Sequence, residues 1–170
     1  DVLEIRRLRM PELYNLLYEK PPPLVPRFLR REVAERTTAQ GAVLRPLDEA
    51  TVRDQVRYLQ QQGVESVAVC LLNSYANPAH EQRIGALLAE LAPEISCSLS
   101  CEVLPEVREY ERTSTTVINA YVRPVVERYL RSLLDHLAAA GIAAPVLIMQ
   151  SSGGILSIAT AMSRPVHIVE

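Results

Sequence analysis

Between Val107 and Leu137 apolar residues recur in adjacent pairs, Val117 with Ile118, Tyr121 with Val122, Val125 with Val126, Tyr129 with Leu130 and Leu133 with Leu134, at the spacing of a helical turn. This pattern predicts one amphipathic helix of unusual length, and such a helix needs another layer to cover its apolar face. Pro124 stands inside it, lacking an amide donor and crowding the preceding turn. A break or kink is therefore expected there rather than one straight rod. Gly141 closes the run.

The segments before that helix read as α/β. Asp1 to Ile5 has the look of a strand, and the opening stretch to Leu17 mixes apolar with basic residues. Pro21 to Pro23 and Pro26 then force an extended surface crossing. Phe28 to Thr37 alternates weakly and carries many charges, which suits a strand at a sheet edge. Asp48 is a good N-cap for a helix running to about Gln62, with Leu47 and Val52 placed as a hydrophobic staple, a stripe of Val52, Val56 and Leu59, and Gly63 at the end. Val67 to Leu72 is apolar throughout, as in a strand covered on both faces. Asn77 then caps a second helix with Pro78 at its first position, whose stripe is Ile84, Leu87, Leu88 and Leu91 and which Pro93 stops. A strand from Cys97 to Val103 completes a β-α-β unit, so at least part of the sheet is parallel. After the long helix, Pro145 to Met149 reads as a short buried strand, followed by Gly153, Gly154 and the apolar run Ile155 to Ile158.

Composition excludes several classes of partner. A net charge of −2 on 170 residues gives no general attraction to nucleic acid or acidic lipid. The longest apolar stretch, Val67 to Leu72, falls far below the roughly 20 residues of a membrane-spanning helix. With the first five residues already reading as strand and no basic and apolar presequence before them, no export signal is expected, and the chain reads as cut from something longer. The three cysteines, Cys70, Cys97 and Cys101, form no Cys-x-x-Cys pair and suit a reducing cytosol. Cys97 and Cys101 share one face of the expected strand, about 13 Å apart along it, beyond the reach of a disulfide. His80, His136 and His167 stand alone, without the spacing of a metal site.

Three motifs carry chemistry. Arg108-Glu-Tyr-Glu-Arg-Thr-Ser-Thr-Thr116 loads charges and hydroxyls onto the start of the long helix. Carboxylates orient water or accept protons, a guanidinium grips a carboxylate or phosphate with two bonds, and hydroxyls add directional contacts. The same residues also fit a capped helix start whose charges pair with one another in water. Gln150-Ser-Ser-Gly-Gly154 lies between two apolar segments, and its glycines allow close backbone approach to a ligand. It equally fits a tight hairpin. Ser152 is no nucleophile elbow, because Gly-x-Ser-x-Gly is absent. Ser74-Tyr-Ala-Asn-Pro-Ala-His-Glu81 follows a buried strand, where open α/β sheets gather ligands, although Asn77 as a helix cap accounts for most of it.

Taken in chain order, from Ser74 to Glu81, from Arg108 to Thr116 and from Met149 to Gly154, the three motifs resemble the hydantoinase A / 5-oxoprolinase family of ATP-dependent enzymes, and the likeness runs over nearly the whole chain. The resemblance implies an α/β fold, a mixed sheet with β-α-β units and a long amphipathic helix, within an actin-like ATPase (ribonuclease H-like) architecture. It divides the chain into the end of an N-terminal domain, residues 1–112, and the incomplete start of a catalytic domain, residues 113–170. It implies ATP-driven opening of a cyclic amide such as a hydantoin or 5-oxoproline, in which phosphorylation of the amide oxygen makes the ring carbon open to attack by water. ATP-dependent carboxylation of acetone or acetophenone by related subunits is the alternative, and a non-catalytic assembly module is another. Under the resemblance Glu111 and Arg112 hold or polarise the ring, Thr113 and Ser114 bond to it or to a phosphate, and Gln150, Ser152, Gly153 and Gly154 form the facing wall. ATP and Mg2+ are the implied cofactors. Their Asp-x-Gly-Gly-Thr type of phosphate loop is absent, since Asp1, Asp48, Asp54 and Asp135 are the only aspartates and none precedes such a loop. A B-type hydantoinase subunit or domain is the implied partner, with a second copy of the chain another.

Overall fold

The computed structural model describes residues 2–5, 14–19 and 21–169. In chain order its elements are α1 (Val2–Ile5), a 3-10 turn at Arg27–Leu29, β1 (Arg36–Thr37), β2 (Val43–Arg45), α2 (Glu49–Gln61), β3 (Ser66–Val69) and α3 (Ala79–Leu91). Then come β4 (Ser96–Leu99), α4 (Ser100–Val103), α5 (Glu109–Ala139), β5 (Leu147–Met149), β6 (Ile155–Ser157), α6 (Ile158–Ser163) and a 3-10 turn at Pro165–His167. Among the described residues no helix is long and apolar enough to cross a membrane.

Local chemistry sets the helix ends. The Asp48 carboxylate accepts from the amides of Ala50 and Thr51, and Gly63 turns the chain away at φ 69°. The Asn77 side chain accepts from the Ala79 amide and donates to the Gly41 carbonyl, so one residue both starts α3 and anchors it to the β1–β2 loop. Gly141, at φ 75°, follows the end of α5.

β3 and β4 pair in parallel, Ser66 opposite Ser96 through Val69 opposite Leu99, with α3 as the crossover. Successive strand side chains face opposite ways. Leu99 packs toward Gly85 of α3, where even an added Cβ would come within 3.3 Å of a Leu99 methyl. Ser98, one residue earlier, meets Asn119 of α5. The small sheet is thus sandwiched between α3 and α5. The apolar core lies on the α3 side, where Val52 and Val56 of α2 join Val69, Ile84, Leu87, Leu88, Ala92, Ile95 and Leu99. The β1–β2 hairpin is tied to the α3 start by a 2.7 Å hydrogen bond between His80 Nδ1 and Glu35 Oε2.

Several expectations are corrected. In place of one mixed sheet, the described residues form three two-stranded ones, β1–β2, β3–β4 and β5–β6. Val2–Ile5 is helical and packs near α5, not a strand, while residues 6–13 of the opening stretch lie outside the described residues. Within Phe28 to Thr37 the charged, proline-flanked chain finds a pairing partner only at Arg36 and Thr37. The strand expected to reach Val103 ends at Leu99, and Cys101 falls on the short helix α4, so Cys97 and Cys101 do not share a strand face. Val67 to Leu72 is strand only to Val69 and mostly half-buried, because β3 has a neighbour on one edge alone. Leu147 and Met149 are exposed, not buried. No break occurs at Pro124, for α5 is one continuous 31-residue helix.

Candidate functional site

The start of α5 meets the end of β3 over a knot of buried polar groups. Glu81, on the otherwise apolar stripe of α3, is wholly buried. Its Oε1 accepts from the Leu71 amide (2.8 Å) and the Ser100 hydroxyl (2.7 Å), and its Oε2 from the Cys101 amide (2.8 Å). Ser100 in turn shares a 3.0 Å hydrogen bond with the buried Ser74 hydroxyl. Leu71 is gripped at its other end by Arg112, whose Nη2 donates to the Leu71 carbonyl at 3.0 Å while Nη1 donates to the Glu106 carbonyl at 2.7 Å. Two buried groups of opposite charge thus hold the two halves of one residue's backbone.

Arg112 is only 1% exposed, lies against the Tyr75 ring at 5.6 Å, and its Nε has no hydrogen-bond partner. Beside it the Cys70 thiol is pushed up to about 12, chiefly by burial and then by the Glu81 carboxylate, against opposing hydrogen bonds with Thr116 and Thr113. The acidic residues of the first turn, Glu109 and Glu111, complement the positive end of the helix dipole. A groove of about 910 Å3 opens along this region, and its lining includes Glu109, Arg112, Thr113, Val117 and Tyr121 of α5 with Cys70, Leu71 and Leu72. Glu111 and Ser114 are half-buried on α5 but outside that lining.

Gln150 to Gly154 forms the turn of the antiparallel β5–β6 hairpin. Two of its backbone donors are used internally, Gln150 N to the Gly154 carbonyl (2.7 Å) and Gly153 N to the Gln150 carbonyl (3.0 Å), with Gly153 at φ 90°, while Ser151 N donates to the His167 carbonyl at 3.1 Å. The Gln150 amide oxygen accepts from the Ser152 hydroxyl at 3.0 Å. None of Gln150, Ser152, Gly153 or Gly154 lines the groove. The structure therefore brings Arg112 and Thr113 together at the groove and carries the glycine motif on a separate, exposed hairpin. Among the described residues no group of three His, Cys, Asp or Glu side chains is arranged to hold a metal ion.

Sequence reasoning passed over the buried polar hubs Glu81, Ser100 and Asn119. Glu81 had a legible signal: it stands three residues before Ile84 and seven before Leu88, a carboxylate on an apolar stripe. Asn119 had one too, seven residues after Arg112 and three after Thr116 on the same face of α5.

Comparison with known proteins places these elements in context. Residues 1–92 match the model for the hydantoinase/oxoprolinase N-terminal region, and residues 112–170 match the hydantoinase/oxoprolinase model. An uncharacterised protein of Methanocaldococcus jannaschii is 42% identical over 170 residues, covering 100% of this chain and 25% of that protein. Caprolactamase subunit alpha of Pseudomonas jessenii is 36% identical over 171 residues, covering 99% of this chain and 25% of the subunit. Among solved structures, the ATP-dependent caprolactamase from Pseudomonas jessenii superimposes with a TM-score of 0.81 at 38% identity, covering 90% of this chain and 22% of that one. Nucleotide-free acetone carboxylase superimposes with a TM-score of 0.75 at 29% identity, covering 88% and 22%. The chain spans about a quarter of the length of these relatives.

Proposed function

Since this chain belongs to the hydantoinase/oxoprolinase family, we propose that it is a segment of an ATP-dependent hydrolase that opens cyclic amides, with hydantoin, 5-oxoproline or a related lactam as substrate. The observation that carries this reading is the likeness to the ATP-dependent caprolactamase over nine-tenths of the chain. The start of α5 supports it, because hydroxyls and charges there meet the floor of a groove large enough for a small ring.

In this reading Thr113 donates a hydrogen bond to the ring amide or to a phosphate. Glu111 and Ser114 act from the neighbouring face of the same turn. Arg112 polarises the ring through its buried positive charge and holds the first turn of α5 to β3. Gln150, Ser152, Gly153 and Gly154, on the exposed hairpin outside the groove, supply a second surface toward the substrate. The segment comprises the end of an N-terminal domain, residues 1–112, and the start of a catalytic domain, residues 113–170, of an actin-like ATPase, and the whole enzyme works with a second, B-type subunit.

ATP and Mg2+ are the cofactors proposed for the whole enzyme. The described residues do not fit them: the hairpin amides at Gln150 and Gly153 are spent within the turn, and two donors of Arg112 are spent on carbonyls. The phosphate-binding groups belong elsewhere in the enzyme on this reading, and this segment contributes to the substrate side.

ATP-dependent carboxylation of a ketone is the second reading, favoured by the likeness to acetone carboxylase. Phosphate release by the full-length protein, measured with a panel of ring amides and then with ketones plus bicarbonate, separates the two. Stimulation by ring amides alone is expected. Stimulation only by ketone with bicarbonate moves the assignment to the carboxylases, and no stimulation by either leaves the segment as an assembly module.

A further inference from the structure

Asn119 of α5 lies where β4, the end of α6 and the Pro165–His167 turn meet, all three of which pack against α5. It is wholly buried. Its Nδ2 donates to the Ser98 hydroxyl of β4 at 2.9 Å and to the Ser163 carbonyl at the end of α6 at 3.1 Å, and its Oδ1 accepts from the Val166 amide at 3.1 Å. Three of the four hydrogen bonds open to a side-chain amide are therefore made. The next residue beyond Val166 carries the chain of contacts onward, for the His167 carbonyl accepts from the Ser151 amide at 3.1 Å and from the Ser151 hydroxyl at 3.3 Å. Ser151 is in the turn of the β5–β6 hairpin, next to Gln150.

A continuous path of directional bonds thus runs from α5, six residues past Thr113, through Val166 and His167 to the turn that bears Gln150. Among the described residues the β5 and β6 strands pair with one another and with no other strand, so the hairpin takes its placement from such ties and from packing on α6. An apolar residue would fill the space of Asn119 at lower desolvation cost. A buried amide with three satisfied bonds fixes direction as well as distance.

We propose that Asn119 is a positioning residue, which sets the placement of the Gln150 to Gly154 turn, outside the groove, relative to the Thr113 end of α5. This rests on the reading that the turn contacts substrate. The test is a double-mutant cycle in the full-length enzyme with Asn119→Ala, Gln150→Ala and the pair, following ring-amide-stimulated phosphate release and reading KM for the ring amide and for ATP. Asn119→Ala and Gln150→Ala are each expected to raise the ring-amide KM about tenfold, the scale of one lost hydrogen bond. The KM for ATP should stay the same, and the double variant should be no worse than Gln150→Ala alone.

Effects that multiply in the double variant, or an Asn119→Ala change that shifts both KM values equally, overturn the positioning role while leaving the site assignment intact. If Gln150→Ala leaves the ring-amide KM unchanged, the assignment of the turn fails and the positioning role falls with it. Should Asn119→Ala not fold, Asn119→Leu takes its place in the same cycle, since it fills the space of the amide without a polar group and loses all three bonds.

Discussion

Gly153 holds a backbone conformation, φ 90°, that side chains with a Cβ adopt only under strain, whereas Gly154 is constrained by its neighbour instead. A Cβ at Gly154 would stand 2.8 Å from the Gln150 amide oxygen, the free end of a flexible side chain. The two substitutions should therefore part. Gly153→Ala is expected to cost about 1–2 kcal/mol and lower the melting temperature. Gly154→Ala should leave melting unchanged and reduce turnover by swinging Gln150 aside. Arg112 offers a second contrast: Arg112→Lys cannot reach both carbonyls with one ammonium, so a loss of about 2–3 kcal/mol in denaturant unfolding is expected from one abandoned charge-assisted bond. Burial pushes the Cys70 and Cys97 thiols up to about 12. Both should resist alkylation in the folded protein at mildly alkaline pH and react once it is unfolded, as mass spectrometry can follow.

For whole elements, the capping of α2 gives a pH dependence whose sign follows from Asp48. Hydrogen bonds from the Thr51 hydroxyl and then the Thr51 amide hold its carboxyl below the ordinary 3.8. A depressed folded value means the stabilisation is complete above the unfolded value and is lost as the pH falls through the folded one. The melting temperature of the wild type should thus decline in acid more steeply than that of the Asp48→Asn variant, which keeps a capping oxygen that does not titrate. Elements of this kind were legible because their determinants are local: Asp48, Asn77, Gly63 and Gly141 mark ends, and Ile84, Leu87 and Leu88 mark a face. The misread elements owe their form to distant partners. Cys97, Leu99, Cys101 and Val103 alternate as a strand would, yet the Glu81 carboxylate draws in the Ser100 hydroxyl and the Cys101 amide, and the chain coils into α4. Of the residues singled out as chemistry, Arg112 and Thr113 meet at the groove, while Gln150 lies on the hairpin outside it. The supports of the site at Glu81 and Asn119 were not legible as such, since a polar residue on an apolar face shows its role only when its partners are in place.

Across the molecule, apolar side chains remain open on α5 and on the β5–β6 hairpin, among other places. Tyr121, Val125 and Tyr129 follow one another at four-residue spacing along α5, and Leu147, Met149 and Ile155 project from the β5–β6 hairpin. Each of these is more than three-fifths exposed. The 170-residue chain prepared by itself is expected to self-associate, with a sedimentation coefficient that rises with concentration. Placing charge on the open face of α5 is the remedy to try, and Val125→Glu combined with Tyr129→Lys should restore a concentration-independent value. The parallel pairing of β3 with β4 has a different consequence. Both strands and their crossover lie within residues 66–99 and enclose most of the apolar core, so the loop that must close is short. On the ribosome, where synthesis adds about 5–20 residues per second, this unit can assemble while the hairpin is still unmade. Pulse-labelled hydrogen exchange during refolding should find Val67 to Val69 and Cys97 to Leu99 protected first, and Leu147 to Met149 last.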